Sequence, residues 1–560
     1  MRWIALITFL MGGLILYVQA PFCFHYLCSA DTVYHAAKIL RVQEGEWFTD
    51  PFSGTLTLYP PLFHILFGTI SNWLHFNAYE TIHLAGMVTY VGTYGALFYL
   101  FWTIQRDINS VCASLLLFGL IVYAPSTRFM LLQGPGTFSA IFMILGIASI
   151  LHYWNDQRIL LLFSGTFFLA FAVSLWWFNF FAAAGFLVVV AGLWLFWKRG
   201  YSHKQSLVIV GGLMLPLLFT AWHLYEIRDV LPAYLKESRT TASVFEAIRE
   251  CASCYLHKGS GYYLESLPPW RWNETDEVIS TSKLLRDVLN FIQYFLVVLP
   301  FHILIIGASI YYFFDMRNKM DSQSRFLRMV WLAAFAIFLF SGIVLYVGNG
   351  AHLYRVQFFT AILLLGYVVE VVRQSFSISN AKIFTSFLIV VAVLCSFWNL
   401  IHNPLTSSSG MKLDPDREEV VALIRSLPKH KDQRIFAMEE TLRELTPFVT
   451  FISFVGNHNG TYYFQDPVSS KQFHDDYLTI QSLSDASMQA LKRNQVQYLV
   501  FKKDVKNNAA ALNNDSAWRN TEKRLHENED DVLRYYQDRS NIILQNDAWV
   551  VLKMRDEITF

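Results

Sequence analysis

The stretch SADTVYHAAKILRVQEGEWFTDPFSGTLTLYPPL, at residues 29–62, decides how this chain is organised. It follows an apolar run at residues 3–22 and places Asp31 where the chain leaves that run. An acid close to the hydrocarbon is unfavourable, by roughly 3 kcal/mol at the centre of a membrane helix, so such acids tend to mark function. Asp is also common as the N-cap of a following helix. Asp31 is therefore interpreted either as a functional carboxylate or as a cap.

The composition is typical of a membrane protein with many spans. Of 560 residues, 54% are hydrophobic and only 16% are charged. The formal net charge of +1, with no basic block, gives no support for nucleic-acid binding. Six cysteines are too few for a disulfide framework. The pairs Cys23/Cys28 and Cys251/Cys254 fall in segments that we place outside the cytoplasm, where disulfides form.

Eleven apolar runs approach the length, about 20 residues, that crosses a bilayer as an α-helix. They lie at residues 3–22, 81–104, 110–123, 136–153, 159–176, 180–197, 207–225, 288–313, 329–347, 356–372 and 383–400. The expected fold is thus a polytopic α-helical membrane protein with about 11 transmembrane helices.

The run at residues 61–76 differs because its apolar and polar residues separate onto two helix faces. The polar face holds His64, Ser71, Asn72 and His75, whereas the apolar face holds Leu62, Phe63, Leu66, Phe67, Ile70, Trp73 and Leu74. This pattern predicts an amphipathic helix that lies in the membrane interface. Residues 33–42 show it more weakly, so the opening stretch predicts two surface helices joined by a loop.

The distribution of Lys and Arg predicts the orientation in the membrane. If the N-terminus is cytoplasmic and residues 61–76 do not span, the short inside loops hold eleven Lys and Arg residues, and the short outside loops hold only Arg128 and Arg355. The first loop at residues 23–80, the long loop at 226–285 and the C-terminal part are then extracytoplasmic.

The character of the sequence changes after residue 402. Residues 1–402 form the predicted membrane domain, residues 403–410 (NPLTSSSG) a linker, and residues 411–560 a soluble extracytoplasmic α/β domain. Asp414-Pro415 predicts the start of a helix, with Asp as cap and Pro at the first helical position. Short β-rich runs follow at residues 434–438, 497–502, 541–544 and 549–554.

The opening stretch resembles the GT-C superfamily of membrane glycosyltransferases, such as bacterial aminoarabinose transferases and mycobacterial arabinofuranosyltransferases. The resemblance rests on Asp31 past the first span, a D-x-x-Y-H helix (Asp31, Tyr34, His35), a G-x-W step (Gly45, Trp47) and YPPL at residues 59–62. It implies a cell-envelope transferase that uses a polyprenyl-phosphate sugar and a glycan, lipid or protein acceptor. Asp31 is followed by Thr, where many members carry a second acid, and no D-x-D stands in the first loop. A divalent metal is therefore neither indicated nor excluded.

Sugar transfer needs a base that takes the acceptor hydroxyl proton as the anomeric carbon is attacked. Asp31 is the first candidate, Asp50 the second and Glu46 the third, since a carboxylate with an ordinary pKa near 4 is ionised at neutral pH. His35, one turn after Asp31, either orients it or makes an interfacial hydrogen bond. Tyr34 and Tyr59 complete the candidate substrate-binding residues of this stretch.

The transfer also needs cations to hold the leaving phosphate. Arg355, with Tyr354, stands at the outer start of a span and could bind a phosphate through two parallel hydrogen bonds. Arg128, and Arg271 within PPWRW at residues 268–272, are further candidates. The alternative for each is an arginine or aromatic cluster that anchors the chain at the interface.

Two other classes of protein remain open, a transporter or flippase of lipid-linked sugars and a non-catalytic assembly protein. A transporter should carry ionisable residues at mid-membrane, and the predicted spans hold few of them, among which His83 and Glu370 lie near span ends. The sequence therefore favours a glycosyltransferase with its site at the outer membrane surface.

Overall fold

The computed structural model describes residues 30–51, 56–57, 59–123, 134–196, 202–229, 231, 330, 333–334, 359, 362–367, 415–427, 434–437, 445, 452–453, 475–476, 479–480, 482–503 and 529–555. Several predicted features lie outside these residues. They are the span at residues 3–22, most of the spans predicted between 288 and 400, and the cysteine pairs Cys23/Cys28 and Cys251/Cys254.

The described N-terminal part is helical. Its helices are α1 (Ala30–Gln43), α2 (Leu62–Leu74), α3 (Ala78–Gln105), α4 (Ile108–Tyr123), α5 (Pro135–Asp156), α6 (Ile159–Leu175), α7 (Phe180–Phe196) and α8 (His203–Glu226). Helices α3 to α8 correspond to the predicted spans, each within a few residues. By length and composition, the stretch Glu80–Gln105 of α3, all of α5 and all of α8 could cross a membrane, while α2, α6 and part of α7 are shorter apolar helices.

Local sequence explains where these helices begin. Asn77 and Glu80 form a reciprocal capping box at the start of α3, and Ser202 and Gln205 form one at the start of α8. Helix α5 has Pro135 at its first turn, where the missing N–H has no intrahelical role. The starts of α3, α5 and α8 are thus explained by their local sequence.

Helix α5 lies at the centre of this bundle, between α3 and α6, and α6 also packs on α8. A Cβ on Gly146 of α5 would lie 3.0 Å from the carbonyl oxygen of Gly165 in α6, so the two backbones approach closely through glycine. Arg106 pairs with Asp156 at 3.7 Å, and Gln205 donates to the Tyr153 hydroxyl at 2.6 Å. The C-terminal ends of α3 and α5 therefore lie together with the N-terminal end of α8.

The C-terminal part contains helices α9 (Pro415–Ser426), α10 (Asp485–Arg493) and α11 (Glu529–Gln537), and strands β1 (Arg434–Ala437), β2 (Ile452–Ser453), β3 (Val496–Lys502), β4 (Ser540–Gln545) and β5 (Trp549–Met554). The strands form one sheet in the order β2-β1-β3-β5-β4. Strand β1 pairs in parallel with β2 and β3, and β5 pairs antiparallel with β3 and β4. The four predicted strands and the helix that begins at Pro415 are all present.

The prediction that α1 and α2 are surface helices is wrong for α1. Nearly every described side chain of α1 after residue 33 is buried, because α2 and α3 cover it. In α2 the buried face is Phe63, His64, Phe67, Gly68 and Ser71, so two residues of the predicted polar face point inward. His64 and Ser71 point inward because polar side chains of α1 form hydrogen bonds with them. His64 contacts His35, and Ser71 accepts a 2.5 Å hydrogen bond from Gln43.

Candidate functional site

One face of α1 carries three polar side chains that are almost completely buried. Tyr34, His35 and Lys38 follow each other at helical spacing, and Lys38 has no exposed surface. Position 31 lies one turn before Tyr34 and His35 on the same face by helical periodicity. Buried polar side chains need partners, which the following loop and α2 supply.

His35 stands at the centre of a hydrogen-bonded aromatic cluster. Its Nε2 lies 3.3 Å from the Tyr59 hydroxyl, and its Nδ1 lies 3.1 Å from Nε2 of His64 in α2. A Cβ on Gly134 would come within 2.7 Å of the His35 ring, so the start of α5 packs directly on it. The His35 ring therefore connects α1, α2, α5 and Tyr59, and its role as a partner of Asp31 stays a prediction.

Both histidines are held in the neutral form. Burial lowers the pKa of His35 from its ordinary 6.5 to about 3. Burial, and then the charges of His35 and Lys38, lower the pKa of His64 well below its ordinary value. The contact between two imidazole nitrogens requires one of them to accept, which a doubly protonated ring cannot do. At least one of the two rings must therefore be neutral, and the lowered pKa values of His35 and His64 favour the neutral form of both.

We expect this cluster to make the fold sensitive to acid. Because the folded pKa of His35 is depressed, the unfolded chain takes up its proton first, and stability falls as the pH drops from about 6.5 towards 3. Between pH 7 and pH 5 the loss from His35 should be about 2 kcal/mol, an order-of-magnitude figure from 1.36 kcal/mol per pKa unit. Thermal unfolding of the detergent-solubilised protein at the two pH values measures it.

The control is His35→Gln, which can still hydrogen bond but does not titrate. Its melting temperature should fall less than that of the wild type between pH 7 and pH 5. An equal fall in both proteins would mean that His35 is not the group responsible.

A second cluster joins Lys38 to the loop after α1. The Lys38 ammonium donates a hydrogen bond to the backbone carbonyl of Thr49. Asp50, also without exposed surface, attracts the Lys38 charge and interacts with the Tyr34 hydroxyl. Burial, and then the Asp50 charge, raise the pKa of Tyr34 well above its ordinary value, so Tyr34 stays a hydroxyl. A buried carboxylate, a buried ammonium and a phenol thus lie together against α1.

Arg41 fastens the same loop one turn further along α1. Its guanidinium donates to the carbonyl oxygen of Pro51 at 3.2 Å and pairs with Glu46 at 3.2 Å. The Thr49 hydroxyl donates to Glu46 as well. Two cations of α1, Lys38 and Arg41, therefore hold the loop at residues 44–51 through its acids and backbone carbonyls.

Aromatic side chains close the site on the side of α8. Trp47 and Phe48 contact Trp222 with ring centroids 5.7 and 4.9 Å apart, and Phe48 stacks on His223 at 5.7 Å. His223 reaches the carbonyl of Thr57 at 3.4 Å. Since α8 meets this loop at its C-terminal end, the site lies at the end of the bundle opposite Arg106, Asp156 and Gln205.

The C-terminal domain packs on the same region. Tyr34, Ala37 and Tyr59 share one apolar cluster with residues of α9 and the sheet, among them Val420, Val421, Ile424, Tyr498 and Trp549. Trp176 packs against this cluster from the end of α6. Residues of α9 and the sheet therefore cover the site, which the sequence did not reveal.

The structure brings several of the predicted site residues together. Asp50, Glu46, Tyr34, His35 and Tyr59 all lie at the junction of α1, α2 and the following loop. Asp31 is described only as a backbone position in α1, and Arg128, Arg271, Tyr354 and Arg355 lie outside the described residues. The sequence reasoning missed Lys38, which the spacing of seven residues from Asp31 could have indicated.

The described acids do not fit a metal site. Glu46 is paired with Arg41, and Asp50 faces Lys38, so a cation already stands beside each carboxylate. Within the described part of the chain, no group of three or more His, Cys, Asp or Glu side chains could hold a metal ion.

The fold is similar to that of several solved structures at low sequence identity. The oligosaccharyltransferase of Archaeoglobus fulgidus is 12% identical with a TM-score of 0.50, over 90% of this chain and 71% of that chain. Arabinofuranosyltransferase AftD from Mycobacteria is 13% identical with a TM-score of 0.52, over 90% of this chain and 35% of that chain. The present chain therefore spans about a third of the length of AftD.

A third structure, ArnT from Cupriavidus metallidurans bound to undecaprenyl phosphate, is 11% identical over 99% of this chain and 98% of that chain, with a TM-score of only 0.44. No family model matches the chain. No curated protein matches it either. The matches with TM-scores of 0.50 and 0.52 show that the chain shares the fold of this oligosaccharyltransferase and this arabinofuranosyltransferase, which is the GT-C fold.

Proposed function

We propose that this chain is a GT-C-type glycosyltransferase that moves a sugar from a polyprenyl phosphate to a cell-envelope glycan, lipid or protein on the outer face of the membrane. The observation that carries the proposal is the GT-C fold shared with an oligosaccharyltransferase and an arabinofuranosyltransferase. The cluster on α1 supports it, because carboxylates and a cation lie together at one end of an apolar helix bundle.

In this proposal Asp31 is the general base. The acceptor oxygen attacks the anomeric carbon, the bond from that carbon to the phosphate oxygen breaks, and the phosphate leaves with the bonding electrons. The acceptor proton passes to the carboxylate. This assignment is supported by helical periodicity, which puts position 31 on the α1 face that carries Tyr34, His35 and Lys38. Asp50 and Glu46 remain the second and third candidates.

The donor phosphate needs a cation, for which Arg355 with Tyr354 is proposed, followed by Arg128 and Arg271. A guanidinium matches phosphate with two parallel hydrogen bonds and remains charged at any working pH. The apolar helices beside the site suit a donor whose polyprenyl chain stays in the bilayer.

The proposal is tested by incubating the purified protein in lipid nanodiscs with a panel of polyprenyl-phosphate sugars and following the release of polyprenyl phosphate. Release that depends on time and enzyme, and that is lost in Asp31→Asn, supports the proposal. A protein that binds these donors and moves them across vesicles without release would be a flippase instead.

The topology gives a separate prediction. Asn72, at the end of α2, and Lys204, at the start of α8, are both exposed and lie at the two ends of the bundle. If the Lys and Arg distribution sets the orientation, a cysteine at Asn72 should react with a membrane-impermeant maleimide in intact cells. A cysteine at Lys204 should react only after permeabilisation. Labelling of Lys204→Cys in intact cells would reverse the assigned orientation.

A further inference from the structure

Lys38 is the least expected residue of the described site. A lysine is almost never fully buried unless it is paired, because removing its charge from water is unfavourable. Its side chain has no exposed surface, yet its ammonium is bound to the Thr49 carbonyl next to Asp50. A methionine or leucine would fill this position without that penalty, so the charge itself needs an explanation.

We propose that Lys38 is a positioning residue, whose ammonium holds the Thr49–Asp50 segment against α1 in the arrangement that glycosyl transfer requires. The inference rests on the proposed function and adds a residue to it. Arg41 holds the next part of the loop through Pro51 and Glu46, so Lys38 is the cation that acts on Asp50. Because Lys38 lies on the face of α1 that carries position 31, the same contact fixes that helix face against the loop.

The charge of Lys38 is poised within the physiological pH range. Burial lowers its pKa from the ordinary 10.5 to about 7, while Asp50 and Glu46 raise it and Arg41 lowers it. Three other titratable groups face this pair. Tyr34 on α1 interacts with Asp50, and His64 on α2 and His223 on α8 lie close enough to interact with the Lys38 charge. As the pH rises through about 7 the ammonium loses its proton and with it the charge attraction to Asp50, which weakens its hold on the loop. The rate of transfer should therefore fall on the alkaline side of pH 7.

The first experiment compares pH–rate profiles of polyprenyl-phosphate release. Wild type should show the alkaline fall near pH 7, and Lys38→Arg should lose that fall, because a guanidinium stays charged. Lys38→Met should be slower by about 10²-fold at its best pH, the loss that a misplacement near 1 Å can cause. Lys204→Arg, at an exposed lysine of α8, is the matched control and should keep the wild-type profile. An unchanged alkaline fall in a folded Lys38→Arg protein would overturn the inference.

The second experiment needs no substrate and does not depend on the arginine variant folding. Melting temperatures are measured for Lys38→Met, for Asp50→Asn and for the double variant. Each single change leaves one buried charge without its partner and should lower the melting temperature, whereas the double change removes both charges and should recover much of the loss. Additive losses would show that Lys38 does not act on Asp50. If the double variant recovers its melting temperature but the wild type releases polyprenyl phosphate from no donor, the contact between Lys38 and Asp50 stands and only the proposed function fails.

Discussion

Asp31→Asn should lower turnover by about 10²- to 10⁴-fold while leaving expression and melting temperature close to those of the wild type. The range is what positioned general-base catalysis contributes. Asparagine keeps the shape of aspartate and one of its side-chain oxygens, so α1, in which position 31 follows Ala30, should be preserved. The measurement is polyprenyl-phosphate release under saturating donor, together with thermal unfolding of the same preparation.

The interpretation of Asp31 as a helix N-cap is wrong, because Asp31 follows Ala30 inside α1 instead of preceding the helix. A purely structural role for Asp31 inside the helix makes the opposite prediction. Asn would then be tolerated in the assay, and Ala would lower stability by about 1 kcal/mol or less, the usual contribution of an acid near a helix N-terminus. The two substitutions thus separate catalysis from a structural role at one position. If Asp31→Asn turns over at nearly the wild-type rate, the base lies elsewhere, and Asp50→Asn and Glu46→Gln are the next variants to test.

The largest expected effect on stability is that of Phe63→Ala. Phe63, in α2, has no exposed surface and contacts His35 of α1, Phe67 of its own helix and Phe138 of α5. Removing a buried phenylalanine ring costs about 3–5 kcal/mol, since its neighbours do not collapse fully into the space. The melting temperature of the protein in detergent should fall accordingly, and the α1 site should lose order with it.

Trp73→Ala on the same helix is the matched control. Its side chain is 80% exposed, so its removal should change stability by no more than about 0.5 kcal/mol. Similar losses in both variants would mean that α2 does not pack through Phe63 as described. A large loss for Trp73→Ala in bilayers but not in detergent would support the predicted interfacial position of α2.

Most helices and strands of the described residues could be predicted from local sequence, because their signals lie in residues that are close together in the chain. The six apolar runs between residues 81 and 225, the Asp-Pro start of α9 and the β-rich runs of the C-terminal part predict elements that the structure contains within a few residues. The motif from Asp31 to YPPL predicted the GT-C fold, which the structural comparisons confirm. These features depend on residues close together in the chain, and helical or strand periodicity reports them directly.

The orientation of α2 could not be obtained in this way. A hydrophobicity pattern assigns polar residues to the solvent side, so His64 and Ser71 were placed on the polar face. In the structure they point inward because His35 and Gln43 of α1 offer them hydrogen bonds. Partners 28 and 29 residues away in sequence do not appear in any local pattern.

The sequence by itself determined the class of fold and the order of most described elements, and it predicted the stretch that holds the candidate site. Tertiary structure alone decided which side chains of that stretch meet. It buried Lys38 beside Asp50, joined His35 to Tyr59 and His64, and covered Tyr34 with the C-terminal domain. Burial gives these groups their chemistry, because removal from water shifts the pKa of Lys38 to about 7 and that of His35 to about 3.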